Sequence, residues 1–234
     1  MTITVGFLVF PGIQLLDLAG PYEIFSALSD GDIHLFWKTR EPVACSAGMH
    51  FYPTTTLGDG PLVDVLCIPG GVGINPLLLD KEVQAWVQRQ ASAARFVTSV
   101  CTGALLLGAA GLLAGRRVTT HWRYHDLLAE FGAIPVRERV VRDGNLITGG
   151  GVTAGMDFGL VVVAALRGQA AAEEVQLALE YAPEPPFQAG RPEDAAKDIL
   201  EVVRRRTETL HAERERMIGA WRKTPPNLQI RAKT

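Results

Sequence analysis

The chain has 234 residues, of which 47% are apolar and 21% charged, with a formal net charge of −2. This composition is rich enough for a sizeable core and excludes a disordered chain. The near-neutral balance, with a pI of about 6.2, gives no global pull toward nucleic acid or an anionic membrane surface.

Met1–Val5 lacks the basic region and apolar run of a signal peptide, and no apolar run reaches spanning length. Three cysteines, Cys45, Cys67 and Cys101, make an odd count without a framework spacing, so a reducing cytoplasm is expected. With no Cys-x-x-Cys, no His-Glu-x-x-His and no His cluster, no metal site is expected.

Ile3–Phe10 is a nearly continuous apolar run at strand length, as in a parallel sheet covered on both faces. After Pro11–Gly12, Asp17 stands alone among Leu15, Leu16, Leu18 and Ala19. It reads either as a solvated or capping acid or as a partly buried acid with a raised pKa. Pro21 suits the first turn of a helix continuing through Ile24, Phe25 and Leu28. Ile33–Thr39 is the next strand, and Ser46–Ala47–Gly48 marks a hairpin within Val43–Thr56.

Asp64–Ile68 is another buried strand, with Cys67 as a core residue. The loop Pro69–Gly70–Gly71–Val72–Gly73 follows at once; it is either a plain turn or a set of N–H groups able to approach a developing charge. Lys81–Ala94 is an amphipathic helix with Val83, Trp86, Val87 and Ala91 on one face, which returns the chain to the strand Phe96–Val100.

Cys101 sits between that β-branched strand and the Leu/Ala-rich helix beginning at Gly103, with no room for a loop. A strand feeding a helix this abruptly makes a nucleophile elbow, and the helix start favours thiolate over thiol. The competing role is a small buried cysteine. The helix is expected to run to Leu113 and stop at Gly115.

Arg117–Thr120 is a short strand leading to His121 and Trp122, where His121 is either a partner for Cys101 or a structural pocket-wall residue. A helix over Trp122–Phe131 is closed by Gly132, and Asp143–Gly144 joins the strands Val136–Val141 and Asn145–Thr148. Gly149–Gly150–Gly151 opens the helix Ala154–Arg167, with Asp157 as a structural polar group, and Ala170–Tyr181 is one more helix. After a Pro-rich connector, Glu193–Trp221 is a charged helix with Ile199, Val202, Val203, Leu210, Met217 and Trp221 along one face. Arg204–Arg206 lies among interleaved acids and reads as a solvated face.

The carriers Leu16–Pro21, Ile68–Gly71, Ser99–Gly103, Thr119–Trp122 and Ile147–Gly151, in this order, resemble the ThiJ/PfpI superfamily over residues 1–190. The resemblance implies an α/β fold: a flavodoxin-like three-layer sandwich with a mostly parallel central sheet and a cysteine elbow. With no internal repeat and no splitting linker, one domain is expected over 1–190, with a helical extension over 191–223 packed on the body or on a dimer partner and a disordered tail over 224–234. The resemblance also implies a nucleophilic Cys101 and an acidic partner at Asp17.

Many relatives carry Glu at position 17 and His at position 102, whereas this chain has Asp17 and Thr102. Those departures, with Gln176–Pro183 and Pro185–Phe187, resemble the isonitrile hydratase subgroup. The implied reaction adds water to a small isonitrile to give an N-substituted formamide, without cofactor or metal. Backbone N–H groups of Gly71, Val72 and Thr102 are the expected charge stabilisers, the Val152 N–H is expected on the sulfur, and the Thr102 hydroxyl is an alternative orienter of Asp17. His121, Trp122 and Gly150 are the pocket candidates, and a homodimer is expected. The competing readings are a peroxide-sensing cysteine protein, another hydrolase or glyoxalase activity, and a sensor domain related to AraC-type regulators. The last needs a helix-turn-helix array, for which the stretch after Pro192 is too short.

Overall fold

The computed structural model describes residues 2–223, so the tail expected over 224–234 lies outside the described residues. The chain opens with β1 (Ile3–Leu8) and α1 (Leu15–Ser26), then β2 (Gly31–Trp37), a hairpin of β3 (Val43–Ala44) and β4 (His50–Phe51), and β5 (Thr55–Thr56). β6 (Val65–Ile68), α2 (Ile74–Leu77), α3 (Lys81–Ala93), β7 (Phe96–Val100) and α4 (Gly103–Ala109) follow. Next come β8 (Arg117–Val118), a 3-10 helix over Trp122–Phe131, β9 (Ile134–Pro135), β10 (Val140–Asp143) and β11 (Leu146–Gly149). Three helices complete the chain: α5 (Ala154–Arg167), α6 (Gln169–Ala178) and the long α7 (Lys197–Lys223).

Seven strands form the central sheet in the order β10-β11-β7-β6-β1-β2-β5. All neighbours run parallel except the hairpin pair β10 and β11. Every residue of β6 and β7 is buried, as expected for strands covered on both faces. One helical layer holds α1, α5 and α6; the other holds α2, α3, α4, the 3-10 helix and α7. The sheet order puts β1, β6 and β7 side by side and parallel, so their carboxyl ends open on one crevice, where α/β sheets bind ligands.

Several boundaries differ from expectation for local reasons. The 43–56 region does form a hairpin, but Thr55–Thr56 leaves it to join β2 in parallel. α1 begins at Leu15, which places Pro21 inside the helix rather than in its first turn. Pro21 therefore withholds the hydrogen bond that would reach back to the Asp17 carbonyl. α4 ends at Ala109, not Leu113: Gly111 takes φ +79, and the N–H groups of Gly111 and Leu112 donate to the carbonyls of Gly108 and Leu107. This is a Schellman closure, which only a residue at ease with positive φ allows. The Trp122–Phe131 segment is wound as a 3-10 helix and ends where expected, at Gly132 with φ +71.

The C-terminal helix corrects the sequence reading most. Ile199 and Val202, placed on its packing face, are 50% and 36% exposed. The residues it buries are His211, Arg214 and Ile218, with Leu210, Met217 and Trp221 half-buried beside them. The Trp221 indole donates to the Ala109 carbonyl at 3.0 Å and meets Phe131 edge-on at 4.8 Å. Arg204–Arg206 is solvent-exposed, as expected.

Gly103 supplies a test of the elbow's packing. A Cβ there would collide with the Ile68 carbonyl and come within 2.9 Å of the Pro69 oxygen, both backbone atoms that cannot swing aside. Helix propensity alone favours Ala over Gly by about 1 kcal/mol. Gly103→Ala is nonetheless expected to destabilise the fold by about 2 kcal/mol or more, read as a lowered midpoint in chemical denaturation.

Candidate active site

The site is assembled from the carboxyl ends of adjacent strands. β7 delivers Cys101, β6 delivers Gly70 and Gly71, and the turn after β1 delivers Asp17 on the first turn of α1. Cys101 has φ +54, a left-handed conformation that costs a non-glycine residue about 1 kcal/mol or more. Its backbone is pinned on both sides. The N–H donates to the carbonyls of Gly150 at 2.8 Å and Gly149 at 3.2 Å, and the carbonyl accepts from the Thr120 hydroxyl at 2.6 Å. The side chain is 6% exposed.

Asp17 is fully buried and neither caps nor solvates anything; Gln14 occupies the N-cap of α1. One oxygen, Oδ2, accepts from the Gly70 N–H at 2.9 Å. Oδ1 has no regular hydrogen-bond partner among the described residues. The carboxyl and the Cys101 thiol lie close enough for each to change the other's proton affinity. Burial pushes Asp17 up to about 7, against the pull of Gly70 and the thiol. Burial and the Asp17 charge push the Cys101 thiol well above its ordinary value, opposed by the Thr102 N–H and Arg214. The helix start thus does not by itself hold a resting thiolate. Instead, two adjacent buried acids resist being ionised together.

The loop donors are arranged differently from expectation. The Gly71 N–H is committed to the Thr102 hydroxyl at 3.0 Å, and that hydroxyl is engaged with Gly71 rather than with Asp17. Gly70 is the donor to the carboxylate. Its lack of a side chain is required, since a Cβ would lie 2.5 Å from the Thr102 nitrogen and 2.8 Å from Asp17 Oδ2. Val72 is 47% exposed, and Val152 is half-buried on the loop into α5. Neither forms a hydrogen bond to Cys101 among the described residues.

His121 is half-buried and caps the 3-10 helix, its Nδ1 accepting from the Arg123 N–H at 3.3 Å. Burial, with the charges of Arg214 and Arg123, lowers it to about 4, so the ring is neutral near pH 7. It is a cap and an aromatic neighbour of Trp122 and Tyr124, and no hydrogen bond joins it to Cys101. Trp122 and Gly150 line a cavity of about 590 Å³ together with Thr120 and Arg204; His121, Cys101 and Asp17 are not among its walls. Two of its walls, Thr120 and Gly150, also hydrogen-bond the Cys101 backbone. Cys67 is a core thiol bonded by Thr98, as expected, and Asp157 pairs with Arg139 at 2.6 Å.

Sequence reasoning missed Arg214. It is 2% exposed, with Nε donating to Asn75 Oδ1 at 2.9 Å, Nη2 donating to the Gly71 carbonyl at 2.8 Å, and the guanidinium 3.9 Å from the Tyr124 ring centroid. A signal existed: position 214 falls at helical spacing between Leu210 and Met217, on the apolar stripe itself. No group of His, Cys, Asp and Glu among the described residues is arranged to hold a metal, and no described helix is long and apolar enough to cross a membrane.

The DJ-1/PfpI family matches residues 3–165. This chain belongs to the DJ-1/PfpI family. Within it, the chain is 54% identical over 206 residues to isonitrile hydratase of Pseudomonas putida, covering 88% of this chain and 90% of that protein. A ThiJ/PfpI family protein from Pseudomonas syringae superposes with a TM-score of 0.91 at 42% identity, covering 94% of this chain and 91% of the other. The HTH-type transcriptional regulator GbdR of Pseudomonas aeruginosa is 30% identical over 175 residues, or 71% of this chain and 47% of the regulator. For this DJ-1/PfpI chain, the expected mostly parallel sheet with flanking helices holds.

The buried carboxyl gives a stability test. Asp17 binds its proton more tightly folded, at about 7, than at the ordinary value of 3.8. Between those values the folded state holds more protons than the unfolded one, so this group's contribution to stability is full below the lower value and is lost as pH rises through the upper. Asp17→Asn removes that loss. The thermal midpoint of the variant is expected to exceed that of the parent by more at about pH 8 than at about pH 5.

Proposed function

We propose that this chain hydrates isonitriles, R–N≡C, to N-substituted formamides through a covalent intermediate on Cys101, with Asp17 moving the protons. The observation that carries the reading is the buried pairing of thiol and carboxyl at the mouth of three adjacent strands. The identity to the P. putida enzyme supports the substrate class.

The chemistry follows from one shared proton. Asp17 accepts the thiol proton as the sulfur attacks the terminal isonitrile carbon. It then returns that proton to the same carbon, which leaves a thioimidate, S–CH=N–R. The ionised carboxylate next takes a proton from water as the oxygen adds to the carbon, and passes it to nitrogen. Collapse of the adduct expels the sulfur anion and returns the hydroxyl proton to Asp17, releasing R–NH–CHO. Transfer of that proton from Asp17 back to the sulfur restores the starting pair, and atoms and charge balance with water as the sole co-reactant.

Burial serves each step, because low-dielectric surroundings strengthen the carboxylate as a base. The left-handed turn at Cys101 presents the sulfur out of the sheet, and the Gly70 N–H fixes the carboxyl that faces it. The related regulator favours a second reading, a ligand-sensing domain.

Formamide production from one aliphatic and one aromatic isonitrile tests the assignment. Cys101→Ala is expected to fold and abolish turnover. Asp17→Asn is expected to lower kcat about a hundredfold or more. The parent's rate should rise with pH through about 7, where the doubly protonated pair loses a proton, and Asp17→Asn should flatten that limb. Full activity in Cys101→Ala excludes the covalent route.

A further inference from the structure

The mechanism above moves negative charge from a carboxylate onto a sulfur inside the protein, yet assigns nothing to hold that charge. Arg214 carries the buried positive charge on this side of the molecule. It comes from α7, outside the stretch matched by the DJ-1/PfpI family as a whole. Among the described residues no carboxylate lies within ion-pair distance of it. On α7 itself, Glu208 pairs with Arg123 at 2.7 Å and His211 faces Asp126 and Glu215 at 3.8 and 3.7 Å, while the neighbouring Glu213 acts on Arg214 without forming an ion pair among the described residues. Burying an unpaired guanidinium is costly, and such a charge is retained where an anion answers it for at least part of the time.

Its placement indicates which anion. Nη2 holds the Gly71 carbonyl at 2.8 Å, and the N–H of that same Gly71 is held by the hydroxyl of Thr102, the residue after Cys101. Nε is fixed by Asn75 at 2.9 Å, and the Tyr124 ring covers one face of the guanidinium. Two edges and a face are thereby anchored, while Nη1 is buried without a hydrogen-bond partner. From these contacts we infer that Arg214 is a positioning residue for the reaction: its fixed charge is the counter-charge of the Cys101 sulfur anion, and it tilts the shared proton from sulfur toward Asp17. The inference rests on the reading of Cys101 as nucleophile.

The charged surroundings agree. Asp17 from α1, the Thr102 N–H and Arg214 act on the sulfur, and Tyr124 from the 3-10 helix is coupled to both Arg214 and the sulfur; His121 is neutral, Arg123 pairs with Glu208, and Glu213 acts on Arg214 from α7. Arg214 and the sulfur influence each other in both directions, whereas the forces acting on Asp17 are its burial, Gly70 and the thiol. A cation that favours charge on sulfur more than on the carboxylate is what the first proton transfer needs.

The experiment titrates the sulfur itself, by thiolate ultraviolet absorbance of each chain minus that of the same chain carrying Cys101→Ala. Arg214→Met keeps length and removes charge. Asn75→Asp leaves Arg214 in place and sets a carboxylate on its Nε, neutralising it where it stands. Both are expected to raise the sulfur's midpoint by about one pH unit or more, and Arg214→Lys, which keeps the charge, to stay nearer the parent. An unchanged midpoint in folded Arg214→Met overturns the inference. If that variant does not fold, an unchanged midpoint in Asn75→Asp does so, as does a midpoint in Arg214→Lys equal to that of Asn75→Asp. Turnover is scored separately. A parent that titrates as expected but makes no formamide removes the proposed reaction and leaves the electrostatic assignment standing.

Discussion

A carboxyl and a thiol held together away from water constrain almost everything else in this molecule. Neither group is stable there as an isolated ion, and each raises the cost of ionising the other. The arrangement persists because the backbone around it is over-determined. Gly149, Gly150 and Thr120 hold the Cys101 peptide in a conformation that a non-glycine residue seldom adopts. Gly70 supplies the lone donor on Asp17 Oδ2, and the absence of a side chain at Gly70 lets Thr102 and Asp17 come this close. The strain at the elbow and the desolvation of Asp17 are two costs located at one point, offset by a core built on the central strands β1, β6 and β7.

The broad frame of this site was legible because strand and helix periodicities are local. The β-branched run Phe96–Val100 abutting a Leu/Ala-rich run marks Cys101 as a turn residue without any knowledge of neighbours. The same holds for Gly132, whose position after an apolar stripe announces a left-handed stop. Boundaries failed where a second residue competed: Gly111 closes α4 four residues before Gly115 could, and a helix starting at Leu15 overrides the preference of Pro21 for a first turn. Hydrogen-bond direction was not legible at all. Whether Gly70 or Gly71 faces Asp17 depends on backbone torsions that two successive glycines leave open, and no donor to Asp17 could be assigned from the sequence.

The C-terminal helix shows why a buried charge is hard to read. Charged residues on a long polar helix are nearly all solvated, and on α7 that expectation holds for Arg204, Arg205 and Arg206. Arg214 has the same chemistry, but its position on the stripe of Leu210, Met217 and Trp221 turns it inward. Its partners come from two separate segments, Gly71 and Asn75 from the stretch after β6 and Tyr124 from the 3-10 helix. A pattern confined to one helix reveals that the residue is inside, while its partners emerge only once the sheet order has brought those segments to one crevice.

This geometry also separates two uses of a shared scaffold. The regulator related to this chain matches it over about half the regulator's own length, so the core can be joined to quite different continuations. In the present chain the continuation is tied into the core at both ends of its packed half, by Arg214 on the Gly71 carbonyl and by Trp221 on the Ala109 carbonyl. Each contact satisfies a carbonyl at a critical point, one in the loop that positions Asp17 and one at the end of the helix that starts beside Cys101. A helix anchored in this way moves with the site. Displacing it would strand a guanidinium and loosen the Gly71–Thr102 contact together, so the helix belongs to the machinery around the sulfur as much as the strands that present it.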